Sequence, residues 1–174
     1  MESKSDIEPL IRQAISALLK YCQRNNWSGY DPYDALNSEI FNRLPFLDSR
    51  LPRLALTQIL KRSPLNFRKL LLIPKTQNPK ALALFLMAFV KLDKMGLLAN
   101  ADIIPLTVQN LINLRSGSSL KPVTRHPLPV ELETVNRYYC WGYSFPWQGR
   151  TVLAPRGAPN LVCTVFVANA LLDA

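Results

Sequence analysis

Apolar residues recur at helical spacing from the start of the chain. Ile7, Leu10, Ile11, Ala14, Ile15, Leu18, Leu19 and Cys22 are separated by alternating short intervals that place them on one helix face. The spacing predicts a helix from about residue 6 to 24, with Asp6 as N-cap and Pro9 in the first turn. Punctuation agrees with a helical chain: there are fourteen prolines and only six glycines. Helical proteins place Pro in first turns and in the connectors between helices.

The same pattern returns downstream. A shorter helix is predicted from near Asp34, including Leu36, Ile40 and Phe41, with Pro45 and Pro52 bracketing a break. Residues 51–62 read as helix with Leu51, Leu54, Ala55 and Ile59 on one side, and 64–73 as another short helix stopped by Pro74. Residues 78–96 form a long helix: Asn78 caps it, Pro79 opens it and Gly96 stops it. Its run "ALALFLMAFV" is too short to span a bilayer and is read as buried. Residues 102–117 repeat the design with Asp102 as cap and Gly117 as stop. From 118 to 159 proline dominates. The segment "PVELETVNRYYC" offers at most a short helix or strand, and an extended stretch is expected at Arg150 to Leu153. The last helix, capped by Asn160, is apolar on nearly every side, as an element buried all round would be. It reaches Ala174 without a stop signal, so the chain is expected to be part of a longer polypeptide.

Composition narrows the chemistry. The 174 residues suit one domain with a sizeable core. Three scattered cysteines (Cys22, Cys140, Cys163) and one histidine, His126, make no metal-ligand cluster, so no metal or cofactor is expected. Reduced thiols and the absence of a signal-like N-terminus point to the cytoplasm and to no membrane. Glycine-rich phosphate loops are absent. Nearly all the net charge of +9 lies in 41–80, where nine cations face one carboxylate, Asp48. That segment either contacts an anionic partner or is the solvated face of short helices. No nucleic-acid-binding signature sharpens the first option towards nucleic acid.

One motif occurs twice. "WSGYDPYD" at 27–34 and "WGYSFPWQ" at 141–148 both set Trp, Gly and Tyr before a Pro and an aromatic. Flat rings suit the C–H faces of sugars, and nearby polar groups suit their hydroxyls. Trp27, Tyr30, Tyr33, Trp141, Tyr143, Trp147, Gln148 and Arg150 are therefore candidate substrate-binding residues, and packing of helix ends is the competing reading. Asp31 and Asp34 are the candidate catalytic pair, because glycoside hydrolysis uses two carboxyls about 5–10 Å apart. One of them would need to be desolvated enough to stay protonated. Asp34 equally suits an N-cap.

The segments "WSGYDPYDALNS" and "CWGYSFPWQGR…PNLVCTVFVANALLDA" resemble the N-terminal half of (α/α)6-toroid proteins of the six-hairpin glycosidase-like type. Such proteins occur in polysaccharide biosynthesis and degradation clusters. The resemblance implies an all-α fold, with helical hairpins forming part of an α/α toroid and long Pro- and aromatic-rich loops at one rim. It implies a single helical domain over 1–174 as the N-terminal part of a longer toroid protein. The implied function is carbohydrate-associated, as part of a glycoside hydrolase or lyase acting on an oligosaccharide or polysaccharide. A homodimer through the apolar C-terminal helix is a further expectation. The alternative is a non-catalytic helical scaffold that binds a protein or an anionic polymer through 41–80.

Overall fold

The computed structural model describes residues 4–116 and 139–174. The protein is mainly helical. Helix α1 spans Lys4–Arg24, and a 3-10 turn at Asp34–Asn37 leads into the short α2, Glu39–Asn42. A second 3-10 turn, Pro45–Leu47, precedes α3, Arg50–Arg62. Three longer elements follow: α4 at Pro79–Lys94, α5 at Ile103–Asn113 and α6 at Leu161–Asp173. Strands β1, Trp147–Gln148, and β2, Leu153–Ala154, pair antiparallel in the only sheet among the described residues.

Helix α4 is the axis of the packing and touches both α5 and α6. Its ends follow local chemistry. The Asn78 side chain accepts from the Lys80 N–H at 3.0 Å, and Pro79 occupies a first-turn position that needs no donor. At the other end Gly96 adopts φ +66°, and the Leu97 N–H reaches back to the Leu92 carbonyl at 2.8 Å. Leu82, Ala83, Leu86 and Val90 of α4 close on Leu111 of α5 and on Cys163, Val167 and Ala170 of α6. Trp141 completes this core, and its indole N–H donates to the Leu111 carbonyl at 2.6 Å, in the last turn of α5 where intrahelical partners run out. A smaller cluster joins Ala35, Leu60 and Ile73.

Several expectations change in the folded chain. Residues 64–73 form turns and not a helix: the Ile73 N–H bonds the Arg68 carbonyl, and Leu72 at φ +50° ends the winding after one turn. The helix expected from Asp34 is interrupted at Ser38, which is extended and caps α2 by accepting the Phe41 N–H at 3.2 Å. In α3 the buried side is Leu60 with Leu56, while Leu51 and Ile59 face outward, because Ala35 and Ile73 sit on the other flank. Helix α5 ends at Asn113, and Asp102 precedes it without a side-chain cap bond. The extended residues are β1 and β2, and 149–152 form the turn between them, closed by Gly149 N–H to Val152 carbonyl at 2.8 Å. Helix α6 is not buried all round. One side enters the core, but Leu161, Val162, Val165 and Leu172 are exposed. Helix α1 begins by Lys4, so Asp6 lies inside it and is not its N-cap, and along α1 only Cys22, in the last full turn, is buried among the side chains from Glu8 onward. The expectations for 118–138, His126 and Gly117 lie outside the described residues.

Leu86 is wholly buried in α4, whereas Leu84 on the same helix is 48% exposed. Leu86→Ala is expected to lower unfolding free energy by about 2–5 kcal/mol. Leu84→Ala should change it by less than about 0.5 kcal/mol. Urea denaturation of both variants checks the inner face of α4.

Candidate functional site

The chain leaves α1 through a tight reversal. The Asn26 N–H bonds the Gln23 carbonyl at 2.9 Å, and the Trp27 N–H bonds that of Cys22 at 2.9 Å, the double closure of a helix C-terminus. Asn26 tolerates its φ of +49°, but Trp27 at φ +54° is bulky and strained. Holding it there costs on the order of 1–3 kcal/mol, offset by packing. The indole lies edge-on to Phe85 at 5.2 Å and to Phe89 at 5.5 Å on α4.

Two residues on, the loop is pinned to the segment that enters α4. Gly29 and Thr76 exchange backbone hydrogen bonds at 3.1 and 3.0 Å. Lys75 donates to the Asn25 side chain and Gln77 to the Asn26 carbonyl. The second aromatic segment arrives at the same place. The Thr76 hydroxyl donates to the Ser144 hydroxyl at 2.9 Å, and the Asn37 amide donates to the Ser144 carbonyl at 3.1 Å. The two Trp-Gly-Tyr segments, far apart in sequence, therefore meet at Thr76 beside the start of α4.

A hollow of about 220 Å³ opens at this junction. Trp27, Tyr30, Tyr21 and Phe85 give it aromatic walls, and Asp31, Asn25, Asn78, Ser28 and Ser144 give it polar groups. Asp31 is oriented by the Tyr33 N–H at 3.0 Å and by the Asn78 amide at 3.3 Å. Cys22 also lines the hollow, and burial pushes its thiol above the ordinary range, so it stays protonated and poorly nucleophilic.

Asp34 stands behind this wall and does not line it. It is 1% exposed. Its carboxylate accepts from the Asp31 N–H at 3.0 Å and from Arg68 Nε at 2.9 and 3.2 Å, while Arg68 Nη2 holds the Asp31 carbonyl at 3.0 Å. Burial pushes the Asp34 carboxyl up; the Asp31 N–H and the Arg68 guanidinium pull it down, with the smaller effect. A bond held in the hollow thus meets one carboxylate, Asp31.

The other candidates are dispersed. Trp141 is a core residue, 5% exposed. Gly142 beside it is packed so closely that a Cβ would lie 2.0 Å from the Ala158 carbonyl oxygen, so only glycine fits. Tyr143 stacks on Phe145 at 5.4 Å, and burial raises its phenol, which remains a neutral donor. Tyr33 is exposed and carries Lys61 on its hydroxyl at 2.6 Å. Trp147 and Arg150 are exposed at the β1–β2 hairpin, while Gln148 accepts from Arg53 at 3.1 Å. Sequence reasoning missed Asn78, Thr76 and Ser144, which join the site through contacts over long chain separations. Arg68 was read as part of the basic segment, without its role beneath Asp34. That segment is largely engaged within the chain: Arg43, Arg53 and Arg68 pair with carboxylates, and Lys61, Lys75 and Lys80 sit over aromatic rings.

Among the described residues no three His, Cys, Asp or Glu side chains gather as metal ligands, and no helix is long and apolar enough to cross a membrane. The fold and site define a mainly helical protein with an aromatic hollow at the head of its central helix. Comparison with family models, curated proteins and solved structures finds no match for the chain.

Because burial raises the Asp34 carboxyl, its linked stabilisation is fullest below the ordinary aspartate range and falls as pH rises through the raised value. Arg68→Leu removes a group that lowers that value, so the loss should grow with pH. About 3–5 kcal/mol is expected at neutral pH, and clearly less at about pH 3, below the ordinary aspartate value, where the carboxyl is protonated. Denaturant titration at the two pH values measures the difference; equal losses would contradict this account of the ion pair.

Proposed function

We propose that this chain is a carbohydrate-binding helical domain and that the hollow at Trp27 holds one sugar ring. The observation that carries the reading is the mixed wall: the rings of Trp27 and Tyr30 beside the fixed carboxylate of Asp31 and the amides of Asn25 and Asn78. A sugar offers the matching surfaces, apolar C–H faces and a girdle of hydroxyls. At about 220 Å³ the hollow is smaller than a typical drug-sized site, which suits a single ring at the end or middle of a longer glycan. The resemblance to α/α-toroid proteins of polysaccharide metabolism supports the same class, with the helices as part of a toroid and the aromatic loops at its rim. A cytoplasmic setting belongs to the same reading.

The geometry favours binding over hydrolysis. Two carboxyls flank the scissile bond in most glycoside hydrolases, and here Asp34 is committed to Arg68. A scaffold acting through 41–80 is less well supported, because the guanidiniums that lie deepest in it, Arg53 and Arg68, are paired within the chain.

A glycan array followed by calorimetry tests the reading. Asp31→Asn and Tyr30→Ala should each weaken binding of the selected oligosaccharide about tenfold, equivalent to ~1.4 kcal/mol. Circular dichroism should stay unchanged. No binding to any neutral or acidic glycan, or unchanged affinity in both folded variants, would reject the carbohydrate assignment.

A further inference from the structure

A second hollow is lined by Pro146, two residues from Ser144. It holds about 180 Å³ between Leu36, Phe41, Pro146 and Leu153, with Asn42, Asp48 and Arg53 as its polar lining. The guanidinium of Arg53 is the cation of this space. Its side chain is 16% exposed, and its Nη1 donates to the Gln148 Oε1 at 3.1 Å, which fixes the plane of the fork. Its Nη2 meets the carboxylate of Asp48. Asp48 is 73% exposed and follows the 3-10 turn Pro45–Leu47 directly, so it reaches the guanidinium from the solvent side.

We propose that this hollow is a binding site for a small carboxylate carried on a compact apolar body, and that Asp48 occupies the carboxylate position until such a ligand displaces it. An oriented arginine fork is the matched partner for a planar carboxylate. Leu36, Phe41, Pro146 and Leu153 match a compact hydrocarbon body, and the polar part of the wall, Asn42, Asp48 and Arg53, suits its charged end. A water's share of volume is about 30 Å³, so the space admits roughly six water-sized groups, the size of a five- or six-carbon ring or branch. Displacing Asp48 is inexpensive, because a mostly exposed carboxylate regains its hydration when it swings out. The site is separate from the aromatic hollow and does not depend on the carbohydrate reading.

The test is a chemical-shift titration of the isotope-labelled full chain with cyclohexanecarboxylate, using cyclohexanecarboxamide as the uncharged isostere. Saturable shifts centred on Phe41, Arg53 and Leu153 are expected with the carboxylate and not with the amide. Asp48→Asn, which removes the internal competitor, should tighten carboxylate binding about two- to fivefold, the range of a partly exposed ion pair. Arg53→Gln should abolish it. Because Arg53 also anchors β1 through Gln148, Asp48→Asn is the decisive variant. Equal binding of the amide, shifts that map to the Trp27 hollow, no saturation in either the natural chain or Asp48→Asn, or unchanged or weaker affinity in Asp48→Asn would each overturn the proposal.

Discussion

The carboxylate of Asp34 holds the site end of the molecule together. It lies almost wholly out of water between two turns that have no regular helix to brace them, 31–37 and 67–72. One oxygen receives the Asp31 N–H, and Arg68 reaches both oxygens and the Asp31 carbonyl. The turns share the apolar contacts of Ala35 and Ile73 with Leu60, but apolar packing is non-directional and does not by itself fix their direction. The buried pair supplies that direction, although burying two charges gives back much of their mutual attraction. Its consequences spread outward. Asp31 is aimed at the hollow, and the Leu71 carbonyl is placed to accept the Ser38 hydroxyl at 2.7 Å.

Helix α4 then ties the site to the core. Asn78 serves both: its oxygen caps the helix and its amide nitrogen steadies Asp31. Phe85 and Phe89 present their rings to Trp27 on the side of the helix that flanks the core residues Leu82 and Leu86. The strained backbone at Trp27 persists because the double hydrogen-bonded reversal below it and the rings beside it leave the indole nowhere else to go. A wall built this way is preorganised, so a bound ring would lose little affinity to ordering the protein.

Segment 144–146 contributes to two hollows. Ser144 lines the one with aromatic walls; Pro146 lines the other, beside Leu36, Phe41 and Leu153 and the paired Arg53 and Asp48. This placement follows from the chain path. Trp141 is sunk in the core, Gly142 passes tightly under Ala158, and the segment emerges with Ser144 fastened to Thr76 and Asn37. A residue with a larger side chain at 142 could not follow that path.

The local code was legible wherever a helix is set by its own residues. The helical run of α1, the Asn78 and Asn160 caps and the Gly96 stop follow from short-range sterics and hydrogen bonding and stand in the structure, although the apolar face of α1 is largely exposed. The aromatic residues at 27 and 30 of the candidate site and its carboxylate at 31 were visible as a motif, because Trp, Tyr and Asp in a Gly- and Pro-bearing loop are an uncommon combination. What the motif could not show is which of its members face a ligand. Trp141 and Asp34 go inward, while Asn78, Thr76 and Ser144 join the wall from elsewhere. The residues at 64–73 carry helical spacing yet form turns, since Arg68 is drawn to a carboxylate thirty-four positions away. The sequence by itself therefore determined the longer helices and the caps at Asn78, Gly96 and Asn160, which depend on neighbours along the chain. Only the tertiary structure decided burial, partner and exposure, because those depend on which distant segments arrive at the same point in space.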